Sequence, residues 1–255
     1  MIGYMTLGTN DLPRAAKFYD AILTALGRQR MMGSEADGFI AWGEAGGGAG
    51  LGLTKPFDGK PATVGNGVMA ALACESPAQV DEIYKLALSL GAKDEGAPGP
   101  RPNCPPGFHA GYFRDLDGNK LNVFTMGPDG KRSHVVGYAT MGTNDVERAS
   151  RFYDAIAEVL GAGRVWAEEK SIVWCKPGGA SFDITKPFDG NPATVGNGAM
   201  VALDCADPAQ VDAVHKTALS LGGSDEGAPG QRWPGFYAGY FRDPDGNKLN
   251  AFVMG

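Results

Sequence analysis

The sequence predicts an α+β protein of four βαβββ-like modules, laid out as two copies of one domain. Three observations carry that expectation. The chain repeats itself, each copy runs twice through one order of strand and helix signals, and its second half-units close on hairpin turns. The repetition is direct: Gly3-Tyr4-Met5-Thr6-Leu7-Gly8-Thr9-Asn10-Asp11 returns as Gly137-Tyr138-Ala139-Thr140-Met141-Gly142-Thr143-Asn144-Asp145, 134 residues further on. Thr54 to Gly59 returns 131 residues on at Thr185 to Gly190, and Gly107 to Asn122 returns 128 residues on at Gly235 to Asn250. The offset falls by 3 twice, so the second copy carries two short deletions. The later one lies where Arg101 to Pro106 meets Arg232-Trp233-Pro234, a loop on any reading. The copies end alike, at Met126-Gly127 and Met254-Gly255. The expected domains are therefore residues 1–127 and 135–255, with 128–134 as a linker that has no counterpart.

Within the first copy the elements follow from spacing and punctuation. Ile2 to Gly8 reads as a strand. Asn10 and Asp11 offer an N-cap and Pro13 a first-turn proline, and Leu12, Ala15, Ala16, Tyr19, Ile22, Leu23 and Leu26 recur at helical spacing up to Gly27. Short apolar runs over Gly38 to Trp42 and Ala49 to Thr54 read as strands separated by a glycine-rich turn. After the Gly65-Asn66-Gly67 break comes a strand over Val68 to Cys74. A helix opened by Ser76-Pro77 follows, with Val80, Ile83, Tyr84, Ala87 and Leu90 on one stripe and Gly91 to close it. Gly111 to Arg114 and Lys120 to Phe124 flank Asp115-Leu116-Asp117-Gly118-Asn119, a hairpin signal. These hairpins contradict a (β/α)₈ barrel, which alternates single strands with helices.

Composition narrows the function classes. The 255 residues are 43% hydrophobic and 20% charged, a globular composition that excludes disorder as the main state. With 23 Lys+Arg against 29 Asp+Glu the net charge is −6, and no basic run supplies a nucleic-acid or anionic-membrane surface. No segment approaches the ~18 consecutive apolar residues of a spanning helix. The N-terminus lacks the pattern of a secretory leader, and four well-separated cysteines without C-x-x-C spacing suit a reducing compartment, so a cytoplasmic location is expected. Small molecules are the expected partners.

At Asn10-Asp11 with Phe18-Tyr19, at the Ala-Gln-Val-Asp helix running to Leu90-Gly91, and at the closing Phe-Arg-Asp-x-Asp-Gly-Asn-Lys-Leu, each half resembles the vicinal oxygen chelate superfamily. That superfamily contains glyoxalase I, bleomycin resistance proteins and extradiol dioxygenases. The resemblance covers nearly the whole chain. It implies paired βαβββ modules whose sheets curl into half-barrels around a pocket, where enzymes of the family hold a divalent metal that chelates adjacent substrate oxygens. The ligand positions it implies fall on Tyr4 and Tyr138, on Gly52 and Asp183, on Met69 and Met200, and on Asn122 and Asn250. Only Asp183 among these is a usual divalent-metal ligand, so no cofactor is expected, the other possibility being a divalent metal held by residues outside these positions.

The same positions imply a pocket lining: Tyr4, Thr6, Met69, Asn122 and Phe124, with Tyr138, Thr140, Met200, Asn250 and Phe252 as partners, Asp183 in one half, and Trp42 and Trp174 as stacking faces. Such a lining suits a small organic ligand, with methionine as an adaptable wall and Tyr and Asn as hydrogen-bonding anchors. It equally describes side chains that fill a core vacated by a metal. The expected function is metal-free small-molecule binding. The alternative is a glyoxalase-like lyase or isomerase, or a dioxygenase, acting on a small carbonyl or aromatic compound, with Asp183 or His109 as the candidate base.

Other residues carry two readings each. His109 becomes Tyr237 in the second copy, which suits a pocket-edge residue better than a general base shared by both copies. His215 replaces Tyr84 on an apolar stripe and reads as core. His134 falls in the linker, and Cys104 has no activating neighbour in sequence. The segment Thr-Lys-Pro-Phe-Asp-Gly-x-Pro-Ala-Thr-Val-Gly-Asn-Gly is identical at 13 of its 14 positions in the two copies. It reports either recent duplication or pocket rims bearing Lys55, Lys186, Asp58 and Asp189. The chain is expected to be a monomer with an internal pseudo-dimer, a homodimer being the other possibility. The sequence leaves open whether modules pair within a half or exchange between halves.

Overall fold

The computed structural model describes residues 1–45, 47–101, 104–127 and 134–255. Four modules share one element order. The first comprises β1 (Ile2–Gly8), α1 (Leu12–Ala25), β2 (Gln29–Ser34), β3 (Phe39–Gly43) and β4 (Gly50–Thr54). The second comprises β5 (Met69–Ala73), α2 (Pro77–Ser89), β6 (Lys93–Pro100), β7 (His109–Arg114) and β8 (Lys120–Thr125). The third runs β9 (Val136–Gly142), α3 (Val146–Leu160), β10 (Gly163–Ala167), β11 (Ser171–Cys175) and β12 (Ser181–Thr185). The fourth runs β13 (Met200–Asp204), α4 (Pro208–Ser220), β14 (Ser224–Trp233), β15 (Phe236–Arg242) and β16 (Lys248–Met254).

The helices start where their caps dictate. The Asp11, Ser76, Asp145 and Asp207 side chains each accept a hydrogen bond from a first-turn backbone N–H, satisfying a donor that has no partner inside the helix. Leu12, Phe18, Tyr19, Ile22 and Leu23 of α1, and Phe152, Tyr153, Ile156 and Ala157 of α3, are buried against one face of each sheet. Two strands in the first half escape the sequence pattern, β2 and β6. Both lie at sheet edges, β2 has no fully buried residue, and β6 carries Gly96, Pro98 and Pro100, so neither shows alternation.

The modules exchange between halves. One sheet has the order β14-β15-β16-β13-β1-β4-β3-β2 and so joins the first module to the fourth; the other, β10-β11-β12-β9-β5-β8-β7-β6, joins the third to the second. The joins are antiparallel, with Tyr4 opposite Ala202 and Thr6 opposite Met200 in one sheet, and Ala71 opposite Tyr138 and Met69 opposite Thr140 in the other. Helices of one half touch each other, α1 on α2 and α3 on α4, so a single apolar core runs through all four modules. No described helix is long and apolar enough to cross a membrane.

Two polar devices hold the modules together, one between the halves and one within each half. The repeated Thr-Lys-Pro-Phe-Asp-Gly segments clasp each other reciprocally: the Asn66 amide donates to Asp189 and the Asn197 amide to Asp58, both at 3.0 Å, while the Asn66 and Asn197 N–H groups donate to Thr194 and Thr63 Oγ1, both at 2.9 Å. This geometry needs glycine. Gly67 and Gly198 have φ of +94° and +97°, and a Cβ on either would lie 2.5 Å from the α-carbon of Gly142 or Gly8. The second device is the closing turn. Buried Asp115 accepts from the Tyr19 phenol at 2.7 Å, from Asn119 Nδ2 at 2.9 Å and from the Asp117 and Asn119 N–H groups, and Asn119 Nδ2 also donates to Gly8 O. Asp243, Tyr153 and Asn247 repeat it. Of the expected linker, residues 128–133 lie outside the described residues. His134 accepts from the Ala49 N–H at Nδ1 and donates from Nε2 to Gly178 O, a tie between modules that its position in sequence did not disclose.

Candidate functional site

Helices cover one face of each sheet, and the other face is where side chains of the remaining parity gather. On the second sheet the register places Arg114, Lys120, Met69, Thr140 and Asp183 in one row across β7, β8, β5, β9 and β12, with Tyr112, Asn122, Ala71, Tyr138 and Ser181 in the next. Residues from β6 at one edge and from β12 and its following loop together line one cavity of about 590 Å³, so the sheet wraps around it. That is an ordinary volume for a small organic ligand.

The floor of the cavity holds two hydrogen-bonded pairs. Ser171 Oγ donates to Asp183 Oδ1 at 2.7 Å, and Thr140 Oγ1 reaches Asp183 Oδ2 at 3.4 Å. Burial pushes the Asp183 carboxyl up to about 6, against the two hydroxyl hydrogen bonds, which pull it down. No cation is bonded to it among the described residues. Beside it the Tyr138 phenol donates to Asn122 Oδ1 at 3.0 Å, and burial keeps that phenol protonated far above its ordinary range. The Phe124 ring packs edge-on against Tyr138, at 4.8 Å between centroids, in a small apolar cluster with Phe108 and Ala110. Along the β6–β8 wall, Glu95 pairs with Arg114 at 2.7 Å and with Lys120 at 3.5 Å. The Arg101 guanidinium lies 5.1 Å from the Tyr112 ring centroid and donates to the Ala97 and Ala110 carbonyls, while its Nε is buried without a partner.

The first sheet keeps the frame and changes the chemistry. Asn250 donates to the Tyr4 hydroxyl at 3.1 Å, and Tyr4 packs 5.0 Å from Phe252. Thr6 turns its hydroxyl to Gly198 O at 2.9 Å. Gly52 stands where the register puts Asp183 in the other sheet, and Phe39 stands where it puts Ser171. A Cβ on Gly52 would lie 3.0 Å from the Phe39 ring, so that ring fills the space of the carboxylate. Met200 is half-buried opposite Thr6, as Met69 is opposite Thr140.

Several expected site residues lie elsewhere. Trp42 and Trp174 are fully buried on the helix side, packed on Tyr19 and Tyr153, with indole N–H groups bonded to Asp20 and Asp154 at 2.9 Å. On an alternating strand they share parity with Ile40 and Ile172 and face away from the cavity. His109 also points to the helix side, where Nε2 meets Asp81 of α2 at 3.1 Å; its counterpart Tyr237 bonds Asp212 in the same way. His109 is thus a strand-to-helix tie and is absent from the candidate base set. His215 is buried and bonded to Asp225, as Tyr84 is to Asp94. Asp58 and Asp189 serve the clasp, whose amide donors hold both carboxyls below the usual carboxylate range; Asp189 also borders the cavity. Lys55 is exposed, and Lys186 lines a separate surface depression with Lys170. Burial pushes the Cys104 thiol up, which leaves it protonated.

The divalent metal implied by the resemblance does not fit these residues. At the four positions the second sheet offers one carboxylate, a thioether, and a protonated phenol already donating to the amide beside it. A catalytic site takes about three His or carboxylate ligands. No cluster of three or more His, Cys, Asp or Glu suited to a metal occurs among the described residues. Sequence reasoning missed Ser171, Tyr112, Arg101 and Lys120. Ser171 had a signal: comparison of the copies pairs Gly52 with Asp183 and Phe39 with Ser171, a small-plus-large set exchanged for a carboxylate-plus-hydroxyl set.

Comparison with known proteins adds the ancestry. Residues 133–251 match the model of the Glyoxalase/Bleomycin resistance protein/Dioxygenase superfamily. Glyoxalase I from Zea mays superposes with a TM-score of 0.75 at 19% identity, covering 99% of this chain and 92% of that one, so its fold is shared across the full tandem. A glyoxalase/bleomycin resistance protein from Albidiferax ferrireducens T118 is 41% identical over 44% of this chain and 92% of its own, with a TM-score of 0.42. A search of curated proteins finds no match.

Proposed function

This chain is a tandem two-domain member of the glyoxalase/bleomycin resistance protein/dioxygenase superfamily, and from that premise we propose that it binds a small organic molecule on the open face of its second sheet without a divalent metal. The observation that carries this reading is the pair of hydrogen-bonded couples on the cavity floor. Tyr138 and Asn122 satisfy each other at two of the positions where the resemblance implies metal ligands, and Asp183, held by Ser171, presents a carboxylate to the cavity. A ligand N–H or O–H meets that carboxylate. Tyr138, held from beneath by Asn122, orients the ring or chain above it, and Met69 adapts the wall to its shape. The first sheet is a poorer site because Phe39 fills its equivalent space, so one ligand per chain is expected, bound by a monomer.

Native mass spectrometry of untagged protein purified without chelators tests this. An organic adduct at one per chain, reduced in Asp183→Asn, supports it; a stoichiometric divalent ion bound through cavity residues overturns it.

A second reading follows from Asp183 itself. A carboxyl at about 6, open to a cavity, is matched to proton transfer near neutral pH. In this reading Asp183 takes a proton from carbon beside the carbonyl of a small substrate, and the Tyr138 phenol and Thr140 hydroxyl hold the substrate in place. Turnover of a small carbonyl compound that survives in Asp183→Asn removes it.

A further inference from the structure

Phe188 and Phe57 occupy the same place in the two clasped loops, and both rings are fully exposed, at 101% of their reference area. Leaving such a ring in water forgoes the hydrophobic gain of burying it. The loop does not collapse to recover it, because it is pinned on both sides of the ring. Pro187 before it is buried, and Asp189 after it accepts from the Asn66 and Asn191 amides. Phe188 thus stands at the mouth of the cavity as one of its lining residues. The Lys120 ammonium lies 6.0 Å from its ring centroid and 5.7 Å from that of Tyr112, so the mouth is an aromatic frame with a cation at its centre.

The cavity walls differ in sign. The β6–β8 wall carries Arg101, Arg114 and Lys120 against the single carboxylate Glu95, which Arg114 and Lys120 share. The opposite wall carries Asp183 and Asp189. Asp189 is occupied by two amides, which leaves Asp183 as the acceptor turned to a ligand. Arg101, bonded to two carbonyl oxygens and lying over the Tyr112 ring, is the cation of this wall that no carboxylate pairs among the described residues.

We propose that the ligand of this site is a planar aromatic molecule with an acidic group at one end and a hydrogen-bond donor at the other, and that Phe188 stacks on its ring. This rests on the open face being a binding site. The acid meets Lys120 and Arg101, the donor meets Asp183, and the ring covers the apolar surface that the pinned loop holds out of the core. Stacking adds to what area burial gives, so specificity for a flat ring is its signature.

Calorimetric titration with 6-hydroxy-2-naphthoate and with its saturated decahydronaphthalene analogue separates the two ideas. The expected result is binding of the arene at least tenfold tighter than the saturated probe. Phe188→Ala abolishes that preference, Phe188→Trp retains it, Asp183→Asn weakens both probes, and Phe57→Ala on the filled sheet changes nothing. Equal binding of the two probes, insensitive to Phe188→Ala yet weakened by Asp183→Asn, overturns the stacking role and leaves the binding site standing. Binding of neither probe overturns the ligand class, and together with a bare native mass it overturns the binding site as well.

Discussion

The edge of the Phe39 ring stands 3.0 Å from where a β-carbon on Gly52 would lie, in the space that the 2.7 Å Ser171–Asp183 hydrogen bond occupies in the other sheet. Each residue of the pair permits the other: glycine makes room for the ring, and the ring closes the gap that glycine leaves. Gly52→Asp alone drives a carboxylate into that ring and is expected to lower stability by about 1–3 kcal/mol in urea unfolding, as overpacking does. Phe39→Ser with Gly52→Asp rebuilds the second sheet's arrangement on the first, and titration is expected to find two sites per chain in place of one. A stoichiometry that stays at one refutes the equivalence of the two faces.

Asp183 makes stability depend on pH in a stated direction. Its carboxyl sits at about 6 in the folded protein against an ordinary 3.8, so the folded state binds the proton more tightly. Its contribution is full below about pH 4 and is lost as pH rises through about 6. Removing the burial penalty with Asp183→Asn is expected to stabilise the protein well above pH 6 by up to about 3 kcal/mol and to change little at pH 4. Urea midpoints of the two proteins across pH 4–8 give the difference directly, and parallel curves contradict the assignment.

The exchange of modules governs how the halves behave alone. Each sheet depends on a central antiparallel pair drawn from both halves, β1 with β13 and β5 with β9. A chain of residues 1–127 exposes both of its central edges and has no clasp partner for Asn66 or Asp58. We expect that half to self-associate or remain unfolded, and an equimolar mixture with 134–255 to regain the parent circular dichroism and elute as one heterodimer. A half that is monomeric and cooperatively folded would defeat this expectation.

The cavity floor also predicts how a metal site is regained. Replacing Tyr138 and Met69 by His and Asn122 by Glu removes the phenol–amide couple and adds three donors to Asp183. Isothermal titration with Ni²⁺ or Zn²⁺ is expected to show one site of micromolar affinity or better in the triple variant and none in the parent. Stoichiometric binding by the parent would show that the present donor set suffices after all.

Much of the architecture was legible because it rests on local rules. The caps at Asp11 and Ser76, the apolar stripes of α1 and α2 and the Asp-Gly-Asn hairpin all act within a few residues and appear where spacing put them. β2 and β6 were invisible because an edge strand with little buried surface needs no alternation. The site was legible in part. Tyr4, Tyr138, Asn122, Asn250, Asp183 and the two methionines fall on the open faces, whereas Trp42, Trp174 and His109 fall on the helix side, because one residue of strand parity reverses a side chain. The repeated fourteen-residue segment, open between ancestry and pocket rim, is in its greater part a clasp between halves.

The sequence by itself determined that this chain is a duplicated array of βαβββ modules and that one half alone carries a carboxylate at Asp183, since repeats, caps and residue identities are properties of the chain. Only the tertiary structure decided which modules share a sheet, that Phe39 fills one open face while Ser171 braces Asp183 on the other, and that Phe188 is pinned at the cavity mouth. Those are relations between residues distant in sequence. They follow from backbone hydrogen bonding and close packing across the two halves, which no local pattern encodes.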